Sequence, residues 1–155
     1  MEIVRANPSD ASALSAIAWA AKAHWGYPAH WMEEWRGILA ITPEFIAENE
    51  TFAAVVESHI IGFHALHEAA GVLRLEHLWI VPAQISKGIG RCLFRHAVER
   101  AAGTGASRLT IEAEPNAEPF YRHMGAERIG SVTGEVDGQP RELPLLVFDL
   151  THDVA

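Results

Sequence analysis

This sequence has a single cysteine, no apolar run approaching 18 residues, and a shortage of positive charge, and each lack removes a class of protein. Cys92 alone cannot form an intrachain disulfide, so a disulfide-stapled fold is excluded and a reducing compartment is expected. Within a helical pattern its thiol reads as packed or inert. Glu2, Pro8 and Asp10 interrupt any leader-like opening, and no stretch is long enough to span a bilayer. A soluble, cytoplasmic protein is therefore expected, with no membrane partner. Lys and Arg number 12 against 20 Asp and Glu, a net charge of -8, so the general electrostatic footprint of a nucleic-acid binder is missing and no nucleic-acid partner is expected. The nine histidines form no recognisable ligand set. His64 and His67 fall on opposite faces of one strand, so no metal is expected. Repeats, linkers and low-complexity segments are also lacking. What remains is 155 residues at 49% hydrophobic content, enough to bury a core as a single domain over 1–155.

The most informative stretch runs from Val72 to Ala102. Val72 to Val81 alternates as a strand ending at Pro82, and a short polar loop leads into Gly88-Ile89-Gly90. Leu93, Phe94, Ala97, Val98 and Ala101 then trace the stripe of an amphipathic helix. Strand, glycine loop and helix form a phosphate-cradle layout, because the first N–H groups of a helix have no intrahelical partner and carry the positive end of its dipole. Glycines let a diphosphate approach the main chain, and Ser86, Lys87 and Arg91 can add donors or charge. The third glycine of a dinucleotide fingerprint and the Gly-Lys-Ser/Thr of a P-loop are absent. A plain glycine turn before a helix fits the same residues.

Upstream, Glu2 to Ala6 reads as a strand, Pro8-Ser9-Asp10 as the cap of an Ala-rich helix to about His24, Ala29 to Leu39 as a second helix, and Thr42-Pro43-Glu44 as the start of a third. Trp25, Tyr27, Trp31 and Trp35, with His24 and His30, crowd into a dozen positions, either as core anchors or as a substrate wall. Strands are expected at Thr51 to Glu57 and Ile60 to Ala70, joined tightly at Ser58-His59. Downstream, Arg108 to Ala113 reads as a strand parallel to the central one. Asn116 is expected to cap a short helix that Gly125 ends. Strands near Glu127 to Thr133 and Leu143 to Leu150 close the chain, joined by a loop from Gly134 to Pro140.

Two motifs together resemble the GNAT superfamily of N-acetyltransferases. Leu78-Trp79-Ile80-Val81-Pro82 running into Lys87-Gly88-Ile89-Gly90-Arg91 is similar to that family's acetyl-CoA pyrophosphate loop. Asn116-Ala117-Glu118-Pro119-Phe120-Tyr121, continuing to Gly125-Ala126, is similar to its second signature. The family pattern has Gln or Arg where this chain has Ile85, a change that main-chain binding should survive, with Gln84 or Ser86 compensating.

The resemblance implies an α/β (α+β) fold: a mixed, mostly antiparallel twisted sheet of six to seven strands, with a parallel, splayed central pair and flanking helices. It implies transfer of an acetyl group from acetyl-CoA, as co-substrate, to a primary amine of a small molecule, peptide or protein. Such an enzyme is an acyltransferase of the kind that moves groups other than aminoacyl groups, with a homodimer as the candidate assembly. The cofactor would lie along Ile80, Val81, Ser86, Lys87, Gly88, Ile89, Gly90 and Arg91, with Asn116 and Phe120 on the pantetheine arm. Tyr121 would protonate the departing sulfur, and an alkaline loss of rate near the ordinary tyrosine value of about 10 would follow. The expected base is Glu76, on the strand face of Leu78 and Ile80 in an apolar run, with His77 on the opposite face or a water chain as the alternatives. The acceptor side would be lined by Trp25, Tyr27, Trp31, Trp35 and His77. The other class compatible with these residues is a non-catalytic acyl-CoA sensor or interaction module of the same fold.

Overall fold

Three two-residue turns dictate how the strands pair. Glu57-Ser58, Ala70-Gly71 and Asp137-Gly138 all hold positive φ at both residues, between 48° and 77°, the twist that joins adjacent antiparallel strands. The register agrees: Val56 faces His59 and Val136 faces Gln139. The first turn thus sits one residue earlier than Ser58-His59. The expected loop from Gly134 to Pro140 is instead continuous ribbon, because Asp137-Gly138 closes the hairpin by itself. Pro140 and Pro144 are tolerated because β7 pairs with β5 only over Leu145 to Asp149, so they remove no hydrogen bond from that ladder.

The computed structural model describes residues 1–151. Its elements in chain order are β1 (Glu2–Arg5), α1 (Ala11–Ala23), α2 (Ala29–Leu39), α3 (Pro43–Glu48), β2 (Thr51–Val56), β3 (His59–Ala69), β4 (Val72–Ile80), α4 (Ile89–Gly103), β5 (Arg108–Glu112), α5 (Glu118–His123), β6 (Glu127–Val136) and β7 (Gln139–Asp149). Single 3-10 turns stand at Pro8–Asp10, Pro82–Gln84 and Pro115–Ala117. The strands form one seven-stranded sheet in the order β1-β2-β3-β4-β5-β7-β6. Its parallel pair is β4 with β5, registered at Arg74 and Thr110, as the crossover through α4 requires. The expected mixed sheet with one parallel pair and flanking helices is what forms.

The chain divides into two compact units, Met1–Ala65 with His77–Phe94, and Leu66–Glu76 with the chain from Arg95 onward. In the first, α1 buries Leu14, Ile17, Ala18 and Ala21, and α2 buries Met32, Trp35 and Leu39. The Ser15 hydroxyl ties the two regions by accepting from Ile41 N–H at 2.8 Å and donating to Ile41 C=O at 3.1 Å. Ala54, Ile61, Ile89 and Leu93 form a second buried cluster, with Leu78 and Ile80 packed on it. Gly62 permits this closeness: a Cβ there would come 3.0 Å from both the Trp79 carbonyl oxygen and Leu93 Cδ1. In the second unit, Ala97, Val98 and Ala101 of α4 are buried, as are Leu109 and Ile111 of β5 and Leu146 of β7. No helix of the described residues is long and apolar enough to cross a membrane.

Candidate functional site

The loop between β4 and α4 is built from main chain rather than side chains. Val81 N–H donates to Ile61 C=O at 2.9 Å and Val81 C=O accepts from Gln84 N–H at 2.8 Å, so both of its polar groups are engaged in the fold. This removes the Val81 N–H from the expected cofactor contacts. Neighbouring strand N–H groups alternate in direction, so that of Ile80 points to the edge of β4 away from β3. Two left-handed residues, Ser86 at φ 69° and Gly88 at φ 84°, then turn the chain into α4. A non-glycine residue at positive φ is strained by about 1–3 kcal/mol, so Ser86 marks a conformation the surroundings impose. At Gly88 a Cβ would meet nothing within 4 Å, so the main chain there is open to an approaching group.

The first intrahelical bond of α4 runs from Cys92 N–H to Gly88 C=O at 3.2 Å. The N–H groups of Ile89, Gly90 and Arg91 therefore stand in the first turn, where no helical carbonyl serves them. Ser86, Lys87 and Arg91 are exposed. Ile89 points the other way: its side chain is buried against Ala54, Ile61 and Leu93 and anchors the loop, leaving only its main chain for a ligand. Ile85 is exposed and Gln84 half-buried. The arrangement can receive a multiply charged anion at the positive end of a 15-residue helix.

On β4 the alternation separates the two candidate bases. Leu73, Leu75 and His77 are buried, whereas Arg74 and Glu76 are exposed. Glu76 thus carries its carboxylate in water, where its place in an apolar run suggests a desolvated one. Arg74 pairs with Glu112 across the parallel strands at 3.4 Å. His77 lies edge-on to Phe45 at 5.6 Å and against Phe63 at 5.9 Å, and its Nδ1 accepts from Trp79 Nε1–H at 3.0 Å. Burial pushes its pKa down to about 4, so the ring is neutral, with its proton on Nε2. With the lone pair of Nδ1 already engaged, His77 is a poor proton acceptor.

The aromatic segment splits into a cluster and an outlier. Tyr27, Trp31 and Trp35 pack mutually, with centroids 5.9 Å apart for Tyr27 and Trp31, 5.0 Å for Tyr27 and Trp35, and 5.9 Å for Trp31 and Trp35. Trp35 is buried in the core face of α2, while Tyr27 and Trp31 are half-buried. Trp25 stands exposed beside His24. Lys22 joins the cluster with Nζ 4.4 Å from the Trp35 ring and 5.0 Å from that of Tyr27. Such placement over ring faces is attractive, which explains how an ammonium is accommodated when the residue is only 8% exposed. The signal for Lys22 was its spacing, since it falls on the same helical stripe as Leu14, Ala18 and Ala21.

In the second unit, α5 buries Tyr121 and sets it edge-on to Phe120 at 5.3 Å. Ala126 N–H donates to Tyr121 C=O at 3.0 Å, and Gly125 at φ 105° ends the helix, the expected left-handed stop. Burial, and secondarily the Glu114 charge, push the phenol pKa well above its ordinary value. Asn116 is not the cap that its residue type suggests. α5 has Ala117 at its N-cap with no side-chain hydrogen bond, and it is the preceding 3-10 turn that is capped, by Glu114, which accepts Asn116 N–H at 2.8 Å while the Asn116 side chain donates to Glu114. The signal for Glu114 was an acidic residue directly before Pro-Asn. Among the described residues, no group of three or more His, Cys, Asp or Glu side chains is placed to hold a metal.

Comparison with known proteins gives this geometry its context. The family model described as an acetyltransferase (GNAT) domain matches residues 21–140. Streptothricin acetyltransferase of Streptomyces lavendulae is 38% identical over 85 residues, covering 51% of this chain and 45% of that protein. This chain therefore matches less than half the length of that relative. Among solved structures, a GCN5-related N-acetyltransferase from Rhodopseudomonas palustris superposes with a TM-score of 0.83 at 20% identity, covering 96% of this chain and 94% of that one. The PaiA N-acetyltransferase of Thermoplasma acidophilum, in complex with coenzyme A, gives 0.75 at 20% identity over 96% and 98%. The two superpositions establish a shared fold. With most of its length matched by the family model, the chain belongs to the GNAT acetyltransferase domain family.

Proposed function

We propose that this protein is an acetyl-CoA-dependent N-acetyltransferase that transfers the acetyl group directly to a primary amine. The observation that carries the reading is the Ser86-to-Gly90 loop, whose left-handed turn at Gly88 opens the main chain at the start of α4. The cofactor's diphosphate would be held there by the N–H groups of Ile89, Gly90 and Arg91, with Ser86, Lys87 and the Arg91 guanidinium adding donors and charge. When bound, acetyl-CoA supplies an acetyl group activated as a thioester. The Ile80 N–H would stabilise negative charge growing on the acetyl oxygen, and Asn116 and Phe120 would position the pantetheine arm. Tyr121, kept protonated by burial, would deliver a proton to the departing sulfur.

Glu76 is the proposed base. Its exposure suits a carboxylate that removes the proton of an incoming ammonium through water, and His77, neutral with Nδ1 engaged, suits a wall better than a base. Tyr27 and Trp31, half-buried, would flank the acceptor together with exposed Trp25, while buried Trp35 backs them. The acceptor is an amine-bearing small molecule, peptide or protein, and resemblance to a streptothricin acetyltransferase makes streptothricin one compound to test. The decisive experiment is an amine screen with acetyl-CoA, reading released thiol. Turnover with any amine supports the reading. Measurable coenzyme A binding without turnover across broad amine classes refutes it in favour of a sensor.

A further inference from the structure

We propose that Glu114 is a positioning residue that holds the Asn116 side-chain amide in the one orientation able to receive the pantetheine arm. The proposal rests on the reading of Asn116 given above and assigns the residue that makes Asn116 competent. Glu114 Oε2 accepts Asn116 N–H at 2.8 Å, Oε1 accepts Asn116 Nδ2–H at 3.1 Å, and Oε2 lies 3.4 Å from Nδ2. The Glu114 side chain is only 8% exposed, and Arg141 Nη2 balances its charge from 3.7 Å, itself 17% exposed.

An ionised carboxylate only accepts hydrogen bonds, so the nitrogen end of the amide must face Glu114 and Oδ1 must turn away from it. Asn116 is an exposed residue after a proline, and an amide facing water alone reverses its two ends at little cost. The buried carboxylate removes that freedom. The Oδ1 end is thereby turned in one direction, that in which the amide N–H groups of pantetheine would be received. The same negative charge disfavours a second one on Tyr121, so one side chain supports both the arm and the acid.

The alternative is that Glu114 only caps the 3-10 turn at Pro115–Ala117. A cap affects melting; a positioning residue is coupled to Asn116 in catalysis. The test is a double-mutant cycle of Glu114→Ala and Asn116→Ala, reading kcat and the KM for acetyl-CoA well below the melting temperature. Each single change should raise that KM roughly tenfold, the loss of about one hydrogen bond, and the double variant should be no worse than the worse single. Glu114→Gln, which keeps an acceptor oxygen, should recover most of the effect. A folded Glu114→Ala protein with parental KM, beside an impaired Asn116→Ala protein, overturns the proposal and leaves the Asn116 reading intact. If Asn116→Ala itself has parental KM, the Asn116 reading falls and takes this proposal with it. Should Glu114→Ala not fold, the side-chain amide NMR signals of Asn116 decide: in the parent they should be displaced from free-amide positions and move in Glu114→Gln, and free-amide positions in the parent overturn the proposal.

Discussion

Acid should destabilise this protein through His77, by an amount that follows from where the ring is held. The imidazole is buried between Phe45 and Phe63, and desolvation brings its pKa from the ordinary 6.5 down to about 4. Above 6.5 the ring is neutral in both folded and unfolded chains, so its full contribution to stability is present there. Below 6.5 the unfolded chain takes up a proton that the folded chain refuses, so this contribution is lost as the pH falls towards 4. The complete loss is worth about 3 kcal/mol, and about 2 kcal/mol of it falls between about pH 7 and about pH 5. His77→Asn is the matching perturbation: its amide oxygen can still accept from Trp79 Nε1, and it does not titrate. The smaller side chain should cost about 1–3 kcal/mol at every pH through the space it leaves. Urea denaturation followed by tryptophan fluorescence across that pH range should therefore show the parent losing about 2 kcal/mol more than the variant. Parallel losses in the two proteins would refute the reasoning and mean that His77 takes up its proton in the fold. The same variant tests the base assignment, since kcat should survive His77→Asn, and its collapse in a folded variant would return the role of base to His77.

Gly88→Val should weaken coenzyme A binding by several kcal/mol, because a β-branched residue resists φ 84° and its side chain fills the open approach to the main chain; calorimetry on folded protein checks this, and unchanged affinity removes the site. Tyr121→Phe should keep the fold and coenzyme A affinity yet slow turnover about 10²-fold, the lower end for a lost acid, since a thiolate leaves readily. The raised phenol pKa also corrects the expected alkaline limb near 10: the parent should hold its rate through that region, and a tyrosine limb below it would contradict the burial of Tyr121. Trp35→Ala should cost about 3–5 kcal/mol as a core truncation, whereas half-buried Trp31→Ala should stay folded and raise the acceptor KM; thermal melts beside steady-state kinetics separate the two, and an unaltered acceptor KM in Trp31→Ala would return that residue to a packing role.

Local chemistry determined most of this fold. The spacing of Leu93, Phe94, Ala97, Val98 and Ala101 is a property of the chain, and a helix turns that spacing into a buried stripe wherever it forms. Thr42-Pro43 and Gly125 likewise mark helix ends by their own capping and backbone preferences. Glycines 88 and 90, followed by an amphipathic run, mark the loop and the helix start for the same reason. Tertiary structure decided everything that depends on which acceptor, neighbour or face is at hand. Asn116 has the residue type of a cap, but its side chain is turned to Glu114 as a donor, and Arg141, distant in sequence, sets the charge around that carboxylate. Glu76 and His77 are adjacent in sequence, and strand alternation fixes only that they point to opposite faces. Which face is dry was settled by Phe45 and Phe63, which come from other elements and leave His77 buried and Glu76 in water. Lys22 reads as a charge misplaced on an apolar stripe until α2 brings Trp35 against it, because burial of an ammonium depends on rings that the chain supplies from another turn.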